Sequence, residues 1–389
     1  MRPVHAFAIV VMACRSSSRE APVDDAPPAA PHDALVAGDA PGFAELADYV
    51  HVEPERAIAL PSKPDVPRFD VGGPAVLGDI AVVASSQFGF IGVDYKRGAI
   101  AWSKPAGLHV APPVVIGREI VLVAECLAPP QVDDRLLGCV RVVTETGADE
   151  SYVAIHGGAA LAPFAEARGV SQLWPDGDHG VRWRRGDRAI TVDLVTGVAS
   201  PAPITPPPLV IAYKDKRWEL ALDEHDEVVA TGKRPWRMKG AFTALLGAVY
   251  LPDQAPMVRL ARFGRVGNQG QLHVIDVDAT GSKHGQVSFP VPGIQMLGHA
   301  ASTVGDVAIA IRLDRSLRRD YIAGFAANAA LMWVYPLPAI DRADPVGLAV
   351  TPDATLVFHD GDTLTVLPEL SAPPTAPGAV KAPSQNPTP

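Results

Sequence analysis

A pattern that returns about every 50 residues constrains this chain more than any other feature. Its sharpest copy is Asp94-Tyr95-Lys96-Arg97-Gly98-Ala99-Ile100-Ala101-Trp102, in which Gly98 stands four and Trp102 eight residues after Asp94, behind a strand-like run from Phe90 to Tyr95. Gly98 supplies a positive φ where the chain reverses, and the two-residue period of a strand puts Ile100 and Trp102 on one face. Laid over the downstream sequence, the Asp94 position falls on Val143 (with Gly147), Asp193 (with Gly197), Asp223, Asp276 (with Gly281 one residue late), Phe325 (with Ala329 and Trp333) and Val366. The intervals are about 49, 50, 30, 53, 49 and 41 residues, the self-similarity of a repeat architecture with one compressed module.

A second match supports the repeat. Pro113-Val114-Val115-Ile116-Gly117-Arg118-Glu119-Ile120 has the grammar of Pro74-Ala75-Val76-Leu77-Gly78-Asp79-Ile80: a Pro, an apolar strand, a Gly-led turn and another strand. The 39 prolines and 34 glycines that punctuate the chain interrupt long helices and suit short strands joined by turns. Modules of four short strands with a docking Trp predict an all-β fold, a β-propeller of four-stranded blades. Seven modules can be counted, with six and eight also compatible. The stretch Tyr49 to Leu60 is placed to complete the last blade, since closure removes exposed sheet edges.

The residues Pro74, Gly78, Asp94, Gly98 and Trp102, then Pro113, Gly117 and Trp333, resemble the pyrroloquinoline-quinone-like (PQQ-like) β-propeller repeat family. The resemblance implies that the Trp packs between neighbouring blades. It also implies two branches. The quinone-dependent enzymes hold the cofactor against an adjacent cysteine pair and bind calcium through Glu, Asn and Asp. Cys126 and Cys139 are not adjacent, so no quinone, metal or other cofactor is expected. The non-catalytic branch includes the propeller lipoprotein of the outer-membrane barrel-assembly machinery.

The start of the chain favours that second branch. Cys14 ends the apolar run Val4 to Ala13 and precedes Arg15-Ser16-Ser17-Ser18, which is similar to a bacterial lipoprotein signal. Residues 1–13 then form the signal segment and Cys14 the lipid attachment site, the alternative being an ordinary leader with an incidental Cys. Residues 14–42 are rich in Pro, Ala, Ser and Asp and read as a disordered tether, 43–370 as the propeller, and 371–389 as a disordered Pro-rich tail. No other window approaches the roughly 20 apolar residues of a spanning helix. These readings place the protein in the cell envelope of a Gram-negative-type bacterium, lipid-anchored in the outer membrane and facing the periplasm. In such a compartment Cys126 and Cys139, flanking the polar loop Pro129 to Arg135, favour a disulfide over two buried free thiols.

Other motifs read as ordinary structure. The formal charge of −9, from 34 basic and 43 acidic side chains, argues against a nucleic-acid partner. The basic clusters Arg182-Trp183-Arg184-Arg185 and Arg312 to Arg319 sit beside acids and read as solvated strand edges or loops. Pro175 to Gly180 and His359 to Asp362 are too short for calcium loops and read as hairpin turns. Gly264 to Gly270 reads as a loop between strands, and Arg185-Gly186-Asp187 as a turn. Trp174, Trp183, Trp218 and Trp236 stand off the repeat frame and read as blade packing, with one or two on a rim as a contact site. No Ser, Cys or His falls in a nucleophile frame. The function expected is a protein-binding or scaffolding module whose partner is another envelope protein. The alternatives are an envelope enzyme with its site in the central funnel, or a carbohydrate-binding module.

Overall fold

Short apolar runs bounded by Gly- and Asp-led turns bury both faces only when they pair into sheets and the sheets stack. The computed structural model describes residues 51–370 apart from loop stretches, the longest being 62–71, 127–135 and 338–345. The leader 1–13, Cys14, the tether 14–42 and the tail 371–389 lie outside the described residues.

Twenty-eight strands form seven four-stranded antiparallel sheets, a seven-bladed β-propeller. The first strand, β1 (Arg56–Ala59), belongs to the last blade. Blade 1 is β2 (Ala75–Leu77), β3 (Ile80–Ser85), β4 (Gly89–Asp94) and β5 (Ala99–Lys104). Blade 2 is β6 (Val114–Ile116), β7 (Glu119–Ala124), β8 (Leu136–Val143) and β9 (Asp149–His156). A short 3-10 turn and the helix α1 (Ala162–Glu166) lead into blade 3: β10 (Ser171–Pro175), β11 (Gly180–Arg185), β12 (Arg188–Asp193) and β13 (Ala199–Pro201). Blade 4 is β14 (Leu209–Tyr213), β15 (Lys216–Leu222), β16 (Val228–Thr231) and β17 (Trp236–Met238). Blade 5 follows with β18 (Phe242–Val249), β19 (Met257–Val266), β20 (Gln269–Val277) and β21 (Lys283–Val291). Blade 6 is β22 (Gln295–Ala301), β23 (Val307–Asp314), β24 (Arg319–Phe325) and β25 (Leu331–Pro336). Blade 7 has the order β26 (Leu348–Val350), β27 (Thr355–Asp360), β28 (Thr363–Glu369) and then β1.

Both ends of the fold therefore meet in one sheet. β1 pairs with β28 from Arg56 opposite Val366 to Ala59 opposite Thr363, and the pairing is prolonged by Glu55 N–H to Val366 O at 2.9 Å and Leu60 N–H to Asp362 O at 2.6 Å. The first strand of each blade is the inner one: β26, β2, β6 and β10 touch in series, as do β14 with β18 and β22 with β26. No described helix is long and apolar enough to cross a membrane.

The core lies in the seams between blades, and the period-two alternation decides which side chains enter it. Apolar clusters join blades 7 and 1 (Ile58, Val83, Ile91, Val366), 1 and 2 (Val82, Phe90, Leu122), and 2 and 3 (Val140, Ile155, Trp183, Ile190). Others join blades 4 and 5 (Ile211, Trp218, Leu260, Ile275), 5 and 6 (Leu272, Phe289, Ile309, Phe325), and 6 and 7 (Ala308, Trp333, Leu356, Phe358). Among the described residues no such cluster joins blade 3 to blade 4.

The repeat frame resolves into one contact. Asp94 ends β4, its carboxylate accepts Arg97 N–H at 2.8 Å, its carbonyl accepts Gly98 N–H at 2.8 Å, and Gly98 has φ +72°. Trp102 on the outer strand then donates its indole N–H to Glu145 O in the outer turn of blade 2, at 3.0 Å. Trp333 does the same to Glu369 O in blade 7 at 3.4 Å. Trp333 is fully buried and Trp102 half-buried.

Two readings need correction here. Trp236 is not off the frame: it donates to Ala279 O in blade 5 at 3.0 Å, as Trp102 and Trp333 do to their next blades. The Asp94 position was instead carried onto Asp223, which closes the turn between β15 and β16 at the opposite end of the blade. That turn imitates the frame, because the Asp223 carboxylate accepts His225 N–H and Glu227 N–H at 2.8 and 3.0 Å. The compressed interval of about 30 residues is the product of this substitution. Likewise the blade 5 turn is led by Asp278, not Asp276, which lies within β20 and pairs with Arg259.

Candidate functional site

The inner strands of the blades carry few ionisable side chains. The inner strands read AVL, VVI, SQLWP, LVIAY, FTALLGAV, QMLGHAA and LAV, and none contains Asp, Glu, Lys or Arg. His299 on β22 is their one imidazole, and burial pushes it below the usual histidine range, toward the neutral form. Among the described residues no group of three or more His, Cys, Asp or Glu is placed to hold a metal ion.

The seam between blades 3 and 4 is different. Alternation along β10 and β11 sends Leu173, Val181 and Trp183 into the blade 2 cluster, so Gln172, Trp174, Arg182 and Arg184 take the other face. Along β14 and β15 it sends Ile211, Trp218 and Leu220 toward blade 5, leaving Val210, Ala212, Arg217 and Glu219 toward blade 3. The second set is open to solvent: Val210 is 39 % exposed, although it lies on an inner strand.

Blade 3 holds its side of the seam with polar contacts. Arg182 donates from Nε and Nη2 to Asp176 Oδ2 at 3.3 and 3.1 Å, and from Nη1 to Thr205 O at 2.9 Å, while Thr191 Oγ1 donates to the same carboxylate oxygen at 3.3 Å. Arg184 donates to Gly186 O at 2.8 Å and to Gln172 Oε1 at 3.3 Å. Trp174 is half-buried beside them. On blade 4, Arg217 and Glu219 pair at 3.2 Å. Blade 3 thus turns a half-buried Trp174 among arginines toward the seam, and blade 4 turns the exposed Val210 and Ala212 toward it.

The basic clusters depart from their reading as solvated strand edges or loops. Arg182 and Arg185 are buried within β11, and Arg312 pairs with the buried Asp320 at 2.9 Å. Residues 315–318 of the second cluster lie outside the described residues. Pro175 to Gly180 forms the β10–β11 turn, His359 to Asp362 spans the β27–β28 turn, and Arg185-Gly186-Asp187 leads from β11 to β12. Cys126 and Cys139 are joined as a disulfide with Cα atoms 5.2 Å apart, at the mouth of the β7–β8 connection. Beside α1, Leu161, Phe164, Ile190, Pro201 and Ile204 line a shallow cavity of about 350 Å³.

No family model matches the chain. No curated protein matches it either. Solved structures similar to it include the Cps50 (Swd1) β-propeller domain of Myceliophteria thermophila, at 13 % identity and TM-score 0.46, covering 77 % of this chain and 99 % of that one. BamB from Moraxella catarrhalis is 12 % identical with TM-score 0.36, covering 81 % and 98 %. A chain of the mitotic checkpoint complex is 13 % identical with TM-score 0.44, covering 85 % and 98 %. Likenesses of this size say nothing about ligand or partner, and the fold rests on the seven sheets themselves.

Proposed function

We propose that the protein is a binding propeller of the PQQ-like kind, held at the outer membrane through Cys14 and facing the periplasm, whose partner is another envelope protein docking at the seam between blades 3 and 4. The observation that carries the reading is the unpartnered face of blade 4. Every other seam is filled by apolar side chains among the described residues, whereas here Val210 and Ala212 are exposed on the face that blade 4 turns toward blade 3. The partner that fits is a polypeptide segment with an apolar anchor between acidic side chains, which would face Arg184 and Arg217. Aromatic and arginine side chains that become buried in an interface dominate binding energies. Tethering would raise the effective concentration of anchored partners, and the apolar run before Cys14 supports it.

The test is photo-crosslinking in intact cells from a benzoylphenylalanine placed at Val210, with Ile100 on the outer strand of blade 1 as the control position. A discrete crosslinked species from Val210 and none from Ile100 is expected, and its loss in Trp174→Ala. Equal labelling from both positions would refute seam docking. Cys14→Ser should move the protein out of the membrane fraction; unchanged fractionation would refute the anchor. A carbohydrate-binding reading is favoured by one grouping, Trp174 with Gln172, Asp176 and Arg184, an aromatic surface beside planar polar groups. It predicts retention on polysaccharide that Trp174→Ala abolishes while the crosslink is absent.

A further inference from the structure

Three arginines with mostly covered side chains pair with an acid in this fold, whereas Arg185 does not. Arg182, Arg259 and Arg312 have side chains 11, 11 and 15 % exposed, and each faces an aspartate, Asp176, Asp276 and Asp320, at 3.1, 2.9 and 2.9 Å. This is what burial of a charge demands. Arg185, only 8 % exposed, has no acid, hydroxyl or carbonyl within hydrogen-bond reach among the described residues. Its guanidinium instead sits in the corner of two rings, with Cζ 4.6 Å from the Trp183 ring centroid and 5.1 Å from that of Phe164. The rings stand 5.0 Å apart at 71° to each other, and Trp183 is locked by its indole N–H donating to Ser171 Oγ at 2.8 Å. Cation–π contact of this kind offsets only part of the desolvation cost of an unpaired charge.

The guanidinium is not sealed. A part of Arg185, 8 %, still reaches solvent. A second cation stands close by. Arg168, exposed after α1, spends Nη1 on Glu166 O and Ala167 O, both at 3.2 Å, and so has Nε and Nη2 to offer. Burial, and after it the Arg168 charge, pull Arg185 below the usual guanidinium range, with Glu125 opposing them. Glu125 is exposed and has a contact of its own.

We propose that the Arg185 guanidinium edge, with Arg168 beside it, is a binding site for a carboxylate. A planar carboxylate matches the planar N–H edge of a guanidinium, the geometry of bidentate recognition, and the two rings hold that guanidinium in their corner. A tetrahedral phosphate carries oxygens out of the guanidinium plane and needs more room than a planar carboxylate in the corner between the two rings. The site is on the face of blade 3 that looks toward blade 2, opposite to the seam with blade 4, and stands whether or not that seam binds a protein.

The experiment is NMR of protein carrying ¹⁵N-arginine. The Nε–Hε resonances are followed during titration with sodium acetate, tri-glutamate peptide, sodium phosphate or sodium chloride at constant ionic strength. Acetate and tri-glutamate should shift the Arg185 resonance saturably, chloride should not, and phosphate should bind more weakly than acetate. Arg185→Lys, which keeps the charge but loses the fork, should weaken tri-glutamate binding by about tenfold or more. Arg168→Gln, at an exposed position that leaves the core intact, should weaken it by a smaller factor and remains decisive if the first variant does not fold. A response indistinguishable from chloride, tighter binding of phosphate than of acetate, or unchanged affinity in both variants would overturn the proposal.

Discussion

The contact between each outer-strand Trp and the strand inside it can be taken apart by a double-mutant cycle at Gly324 and Trp333. Trp333 lies across from Gly324, and a Cβ placed on Gly324 would overlap the indole. Gly324 has an ordinary extended backbone, so Gly324→Ala is a purely steric insertion into a packed seam, expected to cost about 1–3 kcal/mol. Trp333→Ala empties a fully buried site in the cluster between blades 6 and 7 and breaks the bond to Glu369 O, for about 3–5 kcal/mol. In the double variant the added methyl meets space instead of a ring, so the combined loss should fall short of the sum by about 1–3 kcal/mol. The assay is urea unfolding followed by far-ultraviolet circular dichroism and by tryptophan fluorescence. Ala230, which already faces Trp236 across β16 and β17, is the internal comparison, and Ala230→Gly should change stability little beyond the backbone term of about 1 kcal/mol. Additivity within about 0.5 kcal/mol at Gly324 and Trp333 would refute the argument that the small residue exists to seat the indole.

Asp278 should give a measurable acid limb. Burial alone would raise its carboxyl, but His284 at 2.7 Å, the Thr280 hydroxyl and N–H, and Ser282 N–H outweigh that and bring it down to about 2. A carboxyl lowered in the folded state stabilises above its unfolded value of about 4 and loses that contribution as pH falls toward 2, so Asp278→Asn should flatten thermal stability over this window; an unchanged slope would count against the turn network. The Cys126–Cys139 bridge closes a loop with a sequence separation of 13, so the Cys126→Ser/Cys139→Ser variant should lose about 3 kcal/mol. Identical melting of the oxidised and reduced protein would contradict this.

How much of this was legible in the sequence depended on which residue carried the signal. Asp94, Gly98 and Trp102 encode a turn, a reversal and a docking indole within nine consecutive residues, so the first blade could be read directly. Trp102 and Trp333 follow their partners Gly92 and Gly324 by ten and nine residues, because both strand pairs carry a register shift beside the Gly. Blade 4 has no such shift between β16 and β17 and no leading Asp, so Trp236 follows its small partner Ala230 by only six residues. A search for a small residue followed by Trp, with free spacing, would have found all three. The seam between blades 3 and 4 was hidden for another reason. Alternating polar residues in β11 and β15 look like any solvated strand face, and sequence does not say which seams are filled. The same ambiguity turned Arg182 and Arg185 into surface residues on paper, since burial of an arginine depends on partners such as Asp176 or rings such as Phe164 that the third dimension supplies.

The missing cluster between blades 3 and 4 changes how the ring would respond to load. Among the described residues apolar packing runs unbroken from blade 4 through blades 5, 6, 7, 1 and 2 to blade 3, so the fold has the mechanics of a split ring whose first and last strands share blade 7, well away from the split. The split is spanned by Pro201-Ala202-Pro203-Ile204-Thr205-Pro206-Pro207-Pro208, a strut whose prolines fix φ and which Arg182 pins at Thr205 O. Widening or narrowing the split bends this strut and rearranges a few hydrogen bonds, and it leaves every apolar seam intact. A partner entering there could spread the ring as a clip is spread, at a cost set by one proline-rich segment and not by the core.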